Sequence, residues 1–173
     1  NALYKDREKY SENIRDKLFL TTSYITNSQK FRNATIDYDN KLKKIYFVGA
    51  LTGFKDNSSD SSSEDAYFRY NIIKKIESFN KYDSYLKLFN YDPTYKKFFE
   101  EIVEEKYKLT IHQNQELYMK NMIDCMFCLA PRGNSLPTNR QFEAQAAGSM
   151  MLTNCIDEVE IYGIGEKGIH YVE

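Results

Sequence analysis

Two guanidinium groups, a glycine and a carboxylate fall within twelve residues of this chain, at Arg132, Gly133, Arg140 and Glu143. A planar guanidinium meets phosphate oxygens in a two-pronged fork, which a point charge does not. Gly133 removes the side chain where a ligand needs close approach to the backbone. Glu143 follows Arg140 by three residues, so on a helix the two project from one face. A carboxylate placed there can accept hydrogen bonds from the two hydroxyls of a ribose, as the acidic residue of a dinucleotide site does. The chemistry predicted is the grip of a nucleoside diphosphate, with Asn134, Ser135, Thr138 and Asn139 completing the loop. The plainer alternative stays open: Arg140 and Glu143 as an exposed ion pair of small value, and Arg132 as a solvated loop charge.

The stretch that must position these groups runs from Cys125 to Asn154. An apolar run, Met126 to Ala130, stops at Pro131, and a polar loop follows. Thr138 or Asn139 can cap a helix running to Gly148, whose alanines let it lie close to a sheet. Met150 to Thr153 is a second apolar run. Strand, loop, helix and strand in that order place backbone N–H groups and the positive end of a helix dipole at the loop, where α/β folds hold phosphate.

The flanking chain supplies further units of the same kind. Lys44 to Ala50 is predicted as a strand ending at Gly49, and Asp65 to Phe79 as a helix. Ser84 to Phe89 reads as a second strand, a helix runs from Pro93 through Val103, and Tyr107 to Ile111 is a short strand. Asn114 to Met122 reads as a helix with Leu117, Tyr118 and Ile123 turned inward. Gly168 to Val172 is a last extended segment. Strand–helix alternation at this spacing predicts an α/β fold, a Rossmann-like parallel sheet flanked by helices. Residues 1–43 read as an N-terminal helix and linker, and residues 44–173 as the nucleotide-binding domain. Asp56 to Asp65, serine-rich and acidic, reads as a mobile loop whose serines are candidates for phosphorylation.

At 173 residues and a net charge of −1, the chain has length for a real core and no field to attract a polyanion, so no nucleic acid is expected as partner. No apolar run reaches the roughly 18 residues that span a bilayer, so no membrane segment is expected in this chain. Three cysteines fit a reducing compartment, and a cytoplasmic setting is expected; a secretory lumen stays open if an upstream anchor was removed. Cys125 and Cys128 form one C-x-x-C with no second pair or clustered His, and on a strand they would face opposite ways. They are expected to be buried structural thiols, with no metal site. His112 and His170 are read as packing or surface residues, not catalytic ones.

The central stretch resembles the donor-binding half of GT-B glycosyltransferases, and within them the exostosin-like and CgeB-like families. The residues that carry the likeness are Pro131, Arg132, Gly133, Arg140, Glu143, Ala144 and Gly148, followed by the strand MMLTN. KIYFVGALTG, with Arg69 downstream, resembles the opening strand of that half, where a glycine turn and an arginine precede the first helix. The resemblance implies that 44–173 is the C-terminal half of a GT-B fold, a fragment of a two-domain protein. It implies Glu143 on the ribose, Arg132 and Arg140 near the diphosphate, Gly133 at the adjoining turn, and helix-terminal N–H groups from Leu136 to Asn139. Many retaining members carry a second glutamate eight residues before the ribose one; here Ser135 stands there, which favours an inverting, metal-independent transfer. The donor substrate would be a nucleoside-diphosphate sugar with no separate cofactor. The acceptor would be a hydroxyl of a glycan, protein or small molecule, and the catalytic base would lie in the other domain. A non-catalytic Rossmann-like interaction or regulatory module, and a GT-B-fold epimerase, are the alternatives.

Overall fold

The computed structural model describes residues 30–31, 34–51, 64–109, 113–131, 138–153 and 171–172. The expected N-terminal helix, most of the serine-rich stretch, His112, His170, and Arg132, Gly133, Asn134 and Ser135 lie outside the described residues.

Strand β1 spans Leu42–Ala50, helix α1 Glu64–Ser78 and strand β2 Asp83–Phe89. A 3-10 turn at Pro93–Tyr95 leads into α2, Lys96–Glu101, and a second 3-10 turn spans Glu105–Tyr107. Helix α3 is Gln115–Asp124, β3 Cys125–Ala130, α4 Asn139–Ala146, β4 Met150–Thr153 and β5 Tyr171–Val172. Each of the sheet's strand pairs is parallel, in the order β2-β1-β3-β4-β5. A parallel bridge from Leu88 to Lys108 adds a rudimentary strand outside β2. Numbered along the chain with that bridge included, the order is 3-2-1-4-5-6, that of a doubly wound Rossmann-like fold.

Both faces of the sheet are covered, as parallel sheets require. On one face Tyr46, Val48, Cys128, Ala130 and Met151 meet Met122 of α3, Phe142 and Ala144 of α4, and Ala147 at that helix's C-cap. On the other, Ile45, Phe47, Leu86, Leu88 and Leu129 meet Tyr70 and Ile73 of α1, with Val103 and Tyr107. The small residues of α4 and its C-cap permit its close seat: Ala144 and Ala147 are fully buried. Gly148 has φ +64, a conformation that favours glycine, and an added Cβ would lie 2.9 Å from the Tyr38 ring.

Side chains fix the helix ends. Asn114 Oδ1 accepts from Leu117 N–H at 2.8 Å and caps α3. At the opposite edge of the sheet, the Lys41 ammonium donates to the carbonyls of Ile123, Cys125 and Ala147. It thus serves the carboxyl ends of α3 and α4 together, where helix dipoles favour a cation.

Several expectations are corrected. The helix expected from Pro93 through Val103 is a 3-10 turn and six α-helical residues, ending where Val103 N–H closes on Phe98 O. Of the strand expected at Tyr107 to Ile111, the described residues 107–109 show one bridge, at Lys108, because Tyr107 closes the preceding 3-10 turn; the rest of that stretch lies outside the described residues. Leu117 is 45 % exposed, whereas Tyr118 and Ile123 pack inward as expected. Cys125 and Cys128 are free and buried in the same cluster, not on opposite faces. Cys125 sits at the α3–β3 junction, where a register shift against β1 interrupts regular alternation.

Candidate functional site

Strands β1 and β3 pair only as far as Tyr46 and Cys128. Beyond that point β1 stays with β2 through Ala50 and Phe89, while β3 stays with β4 through Ala130 and Thr153. The sheet therefore splits between β1 and β3 at its carboxyl edge. This is where the strand order reverses, the position at which open α/β sheets take ligands.

The split leaves two strand carbonyls without β3 as partner. Leu51 N–H bonds Phe89 O at 2.7 Å, so odd-numbered residues of β1 address β2, and the carbonyls of Val48 and Ala50 address the split. Each is met by a guanidinium. Arg140 of α4 donates through Nη2 to Val48 O, and Arg69 of α1 donates through Nη1 to Ala50 O at 2.8 Å. Two helices from opposite faces thus send arginines to carbonyls two residues apart on one strand.

Arg140 lies between aromatic rings, with its guanidinium carbon 5.0 Å from the Phe47 centroid and 5.5 Å from that of Tyr118. Phe47 reaches this position by folding along its own strand over Gly49, where an added Cβ would stand 2.6 Å from the ring. Burial opposes the Arg140 charge, but Tyr118, Cys128 and Glu143 outweigh it and hold its pKa above the ordinary guanidinium value. Arg69 goes the other way: burial first, and then the positive charge of Arg140, bring it down to about 10. The two guanidiniums are near enough to repel, and an anion between them would relieve that repulsion.

Glu143 is fixed from a different helix. Tyr118 of α3 donates its phenol hydrogen to Glu143 Oε2 at 2.6 Å. Beside it, Tyr46 donates to Gln113 Oε1 at 2.7 Å, and Gln113 Nε2 donates to the Tyr85 hydroxyl at 3.2 Å. Tyr46 stacks on Tyr85 and tilts against Tyr118, so one aromatic layer runs beneath the site.

The amino end of α4 is rich in buried polar atoms that find no partner among the described residues. They are Thr138 Oγ1, Asn139 Oδ1, Arg140 Nη1 and Gln141 Nε2. Thr138 is the N-cap, and its N–H donates to Gln141 Oε1 at 2.9 Å, one half of a capping box. Gln141 N–H donates to the Thr138 carbonyl at 3.2 Å, and Thr138 Oγ1 is left without a partner among the described residues. Four adjacent residues with unmatched buried groups are unusual, since such groups are nearly always paired.

Of the residues expected at the site, Thr138, Asn139, Arg140 and Glu143 are brought to one helix end beside the sheet's split; the others fall outside the described residues. Arg140 and Glu143 are not an exposed ion pair, because no ion pair among the described residues joins them. Arg69 lies inside α1, not ahead of it. Tyr118 was legible only as an inward-facing aromatic; the signal for more was that a buried phenol needs an acceptor. Among the described residues no group of His, Cys, Asp and Glu is arranged to hold a metal ion. An open groove of about 560 Å³ between residues 34–35 and α3 contains none of the residues at the split. Compared with known proteins, the chain matches no family model, no curated protein and no solved structure.

Proposed function

We propose that this chain is the donor-binding domain of a GT-B type glycosyltransferase, holding a nucleoside-diphosphate sugar for transfer to an acceptor hydroxyl. The observation that carries the reading is the Arg140 guanidinium in the split between β1 and β3, with Glu143 one helical turn behind it. Arg140, joined by Arg69 and by the N–H groups at the start of α4, takes the diphosphate; Glu143 takes the ribose. In the transfer, the acceptor oxygen attacks the anomeric carbon, its proton passes to a base outside the residues named here, and the nucleoside diphosphate leaves. Two guanidiniums and a helix end supply the positive charge that stabilises the leaving group, so the reading needs no metal. Ser135, in place of a second glutamate, favours inversion.

A second reading has its own observation. Arg140 is already tied to Val48 O and to two rings, which suits a guanidinium that staples a split sheet in a non-catalytic module. Thermal melting with UDP, GDP and their sugars separates the two. A ligand held at a hundred times its Kd stabilises the folded chain by about 2.7 kcal/mol and raises Tm by several degrees. The donor reading predicts that rise for at least one nucleotide, and a flat response across the panel favours the module.

A further inference from the structure

Tyr118 touches both side chains on which the donor reading depends. Its hydroxyl donates to Glu143 Oε2 at 2.6 Å, and its ring lies 5.5 Å from the Arg140 guanidinium carbon. Its own ring is backed by Tyr46, with centroids 6.0 Å apart. It reaches the site from α3, across the start of α4, and so is independent of the helix that carries Arg140 and Glu143. We propose that Tyr118 is a positioning residue that fixes the Glu143 carboxylate beside the Arg140 guanidinium, so that the site selects nucleotides whose ribose keeps its 2′-hydroxyl. The proposal rests on the donor reading and deepens it.

The physical basis is rotamer control. A glutamate has three side-chain torsions, and an unsupported carboxylate at a helix surface samples many orientations. One short bond from a rigid phenol holds Oε2, leaving Oε1 and the remaining lone pairs to accept from a diol. The bond is also durable. Burial holds the Tyr118 phenol above its ordinary range; Arg140 works against this, and Glu143 adds to it, so the group stays a donor at neutral pH.

Calorimetry on the whole chain tests the proposal with UDP, GDP, their 2′-deoxy forms and inorganic pyrophosphate. The wild type is expected to favour ribose over deoxyribose by about tenfold or more, the scale of one hydrogen bond to a charged group. Tyr118→Phe keeps the ring under Arg140, and its expected effect is a collapse of that ratio to about threefold or less with pyrophosphate affinity unchanged. Glu143→Gln alters the other end of the same contact without touching α3, and is expected to give the same collapse. Retention of the wild-type ratio in either variant overturns the proposal. So does an equal loss of pyrophosphate and nucleotide affinity in Tyr118→Phe, which would mark a packing role only. Absence of nucleotide binding by the wild type removes the donor reading itself, and the role of Tyr118 with it.

Discussion

At Arg140 the two ends of a buried guanidinium stand in different settings, which substitution can separate. Nη2 pairs the Val48 carbonyl that β3 leaves unmet, while Nη1 is buried with no partner among the described residues. Arg140→Met keeps the aliphatic stem between the rings but leaves the carbonyl unpaired, and urea unfolding should show a loss of about 1–3 kcal/mol. Arg140→Lys keeps the charge and loses the fork, so it should retain more of that stability than of any phosphate affinity. Gly49 reports on the same group from the other side of the strand. A Cβ there would stand 2.6 Å from the Phe47 ring and displace the surface on which Arg140 rests. Gly49→Ala is therefore expected to weaken nucleotide binding by a larger factor than Gly148→Ala, whose strain falls at the far end of α4. Parallel titrations of the two variants compare them.

Among the elements, those with a clear period or a clear stop were readable from the residues. The strands at β1, β2, β3 and β4 and the helices α1, α3 and α4 lie where apolar runs end in Gly, Pro or a capping residue. Less legible were short pieces decided by tertiary contacts. The six-residue α2 follows a 3-10 turn that Asp92 caps, and nothing in the apolar spacing around Phe98 and Phe99 marks where it ends. The candidate site was legible within one helix; between helices Arg69 was marked only by the family resemblance, and Tyr118 only as an inward-facing ring. Arg140 and Glu143 are joined by a three-residue spacing, but Arg69 comes from α1 to the neighbouring Ala50 carbonyl, and Tyr118 from α3 to Glu143, through the fold alone. Lys41 is another case: a lysine just before a strand proves to hold the ends of two helices. Lys41→Met should cost about 1–3 kcal/mol by leaving buried carbonyls unpaired, as read from urea midpoints. Asn114→Ala, which removes the α3 cap, should cost about 1 kcal/mol.

Across the whole molecule, the buried acids set how stability responds to pH. Burial pushes the Cys128 thiol up to about 12 and raises Cys125, Tyr46 and Tyr118 as well. Folded values above unfolded ones mean stability that is fully present below about pH 9, where unfolded thiols begin to ionise, and is lost as pH rises towards 12. Lys41 and Arg69, whose folded values are lowered, act in the opposite sense. The raised groups outnumber them, so the urea midpoint should fall between pH 9 and 11, and should fall less in Cys128→Ala. Binding is the larger question at this scale, because the doubly wound sheet splits where its strand order reverses, and Arg140 and Arg69 meet the carbonyls of Val48 and Ala50 there. The most direct measurement is calorimetric titration of the whole chain with UDP and GDP, in the wild type and in Arg140→Ala and Glu143→Ala, each checked for folding. The account predicts saturable binding of at least one nucleotide, weakened tenfold or more, on the order of one charge-assisted contact, in both variants. Binding of equal strength in all three proteins, or none in the wild type, would contradict it.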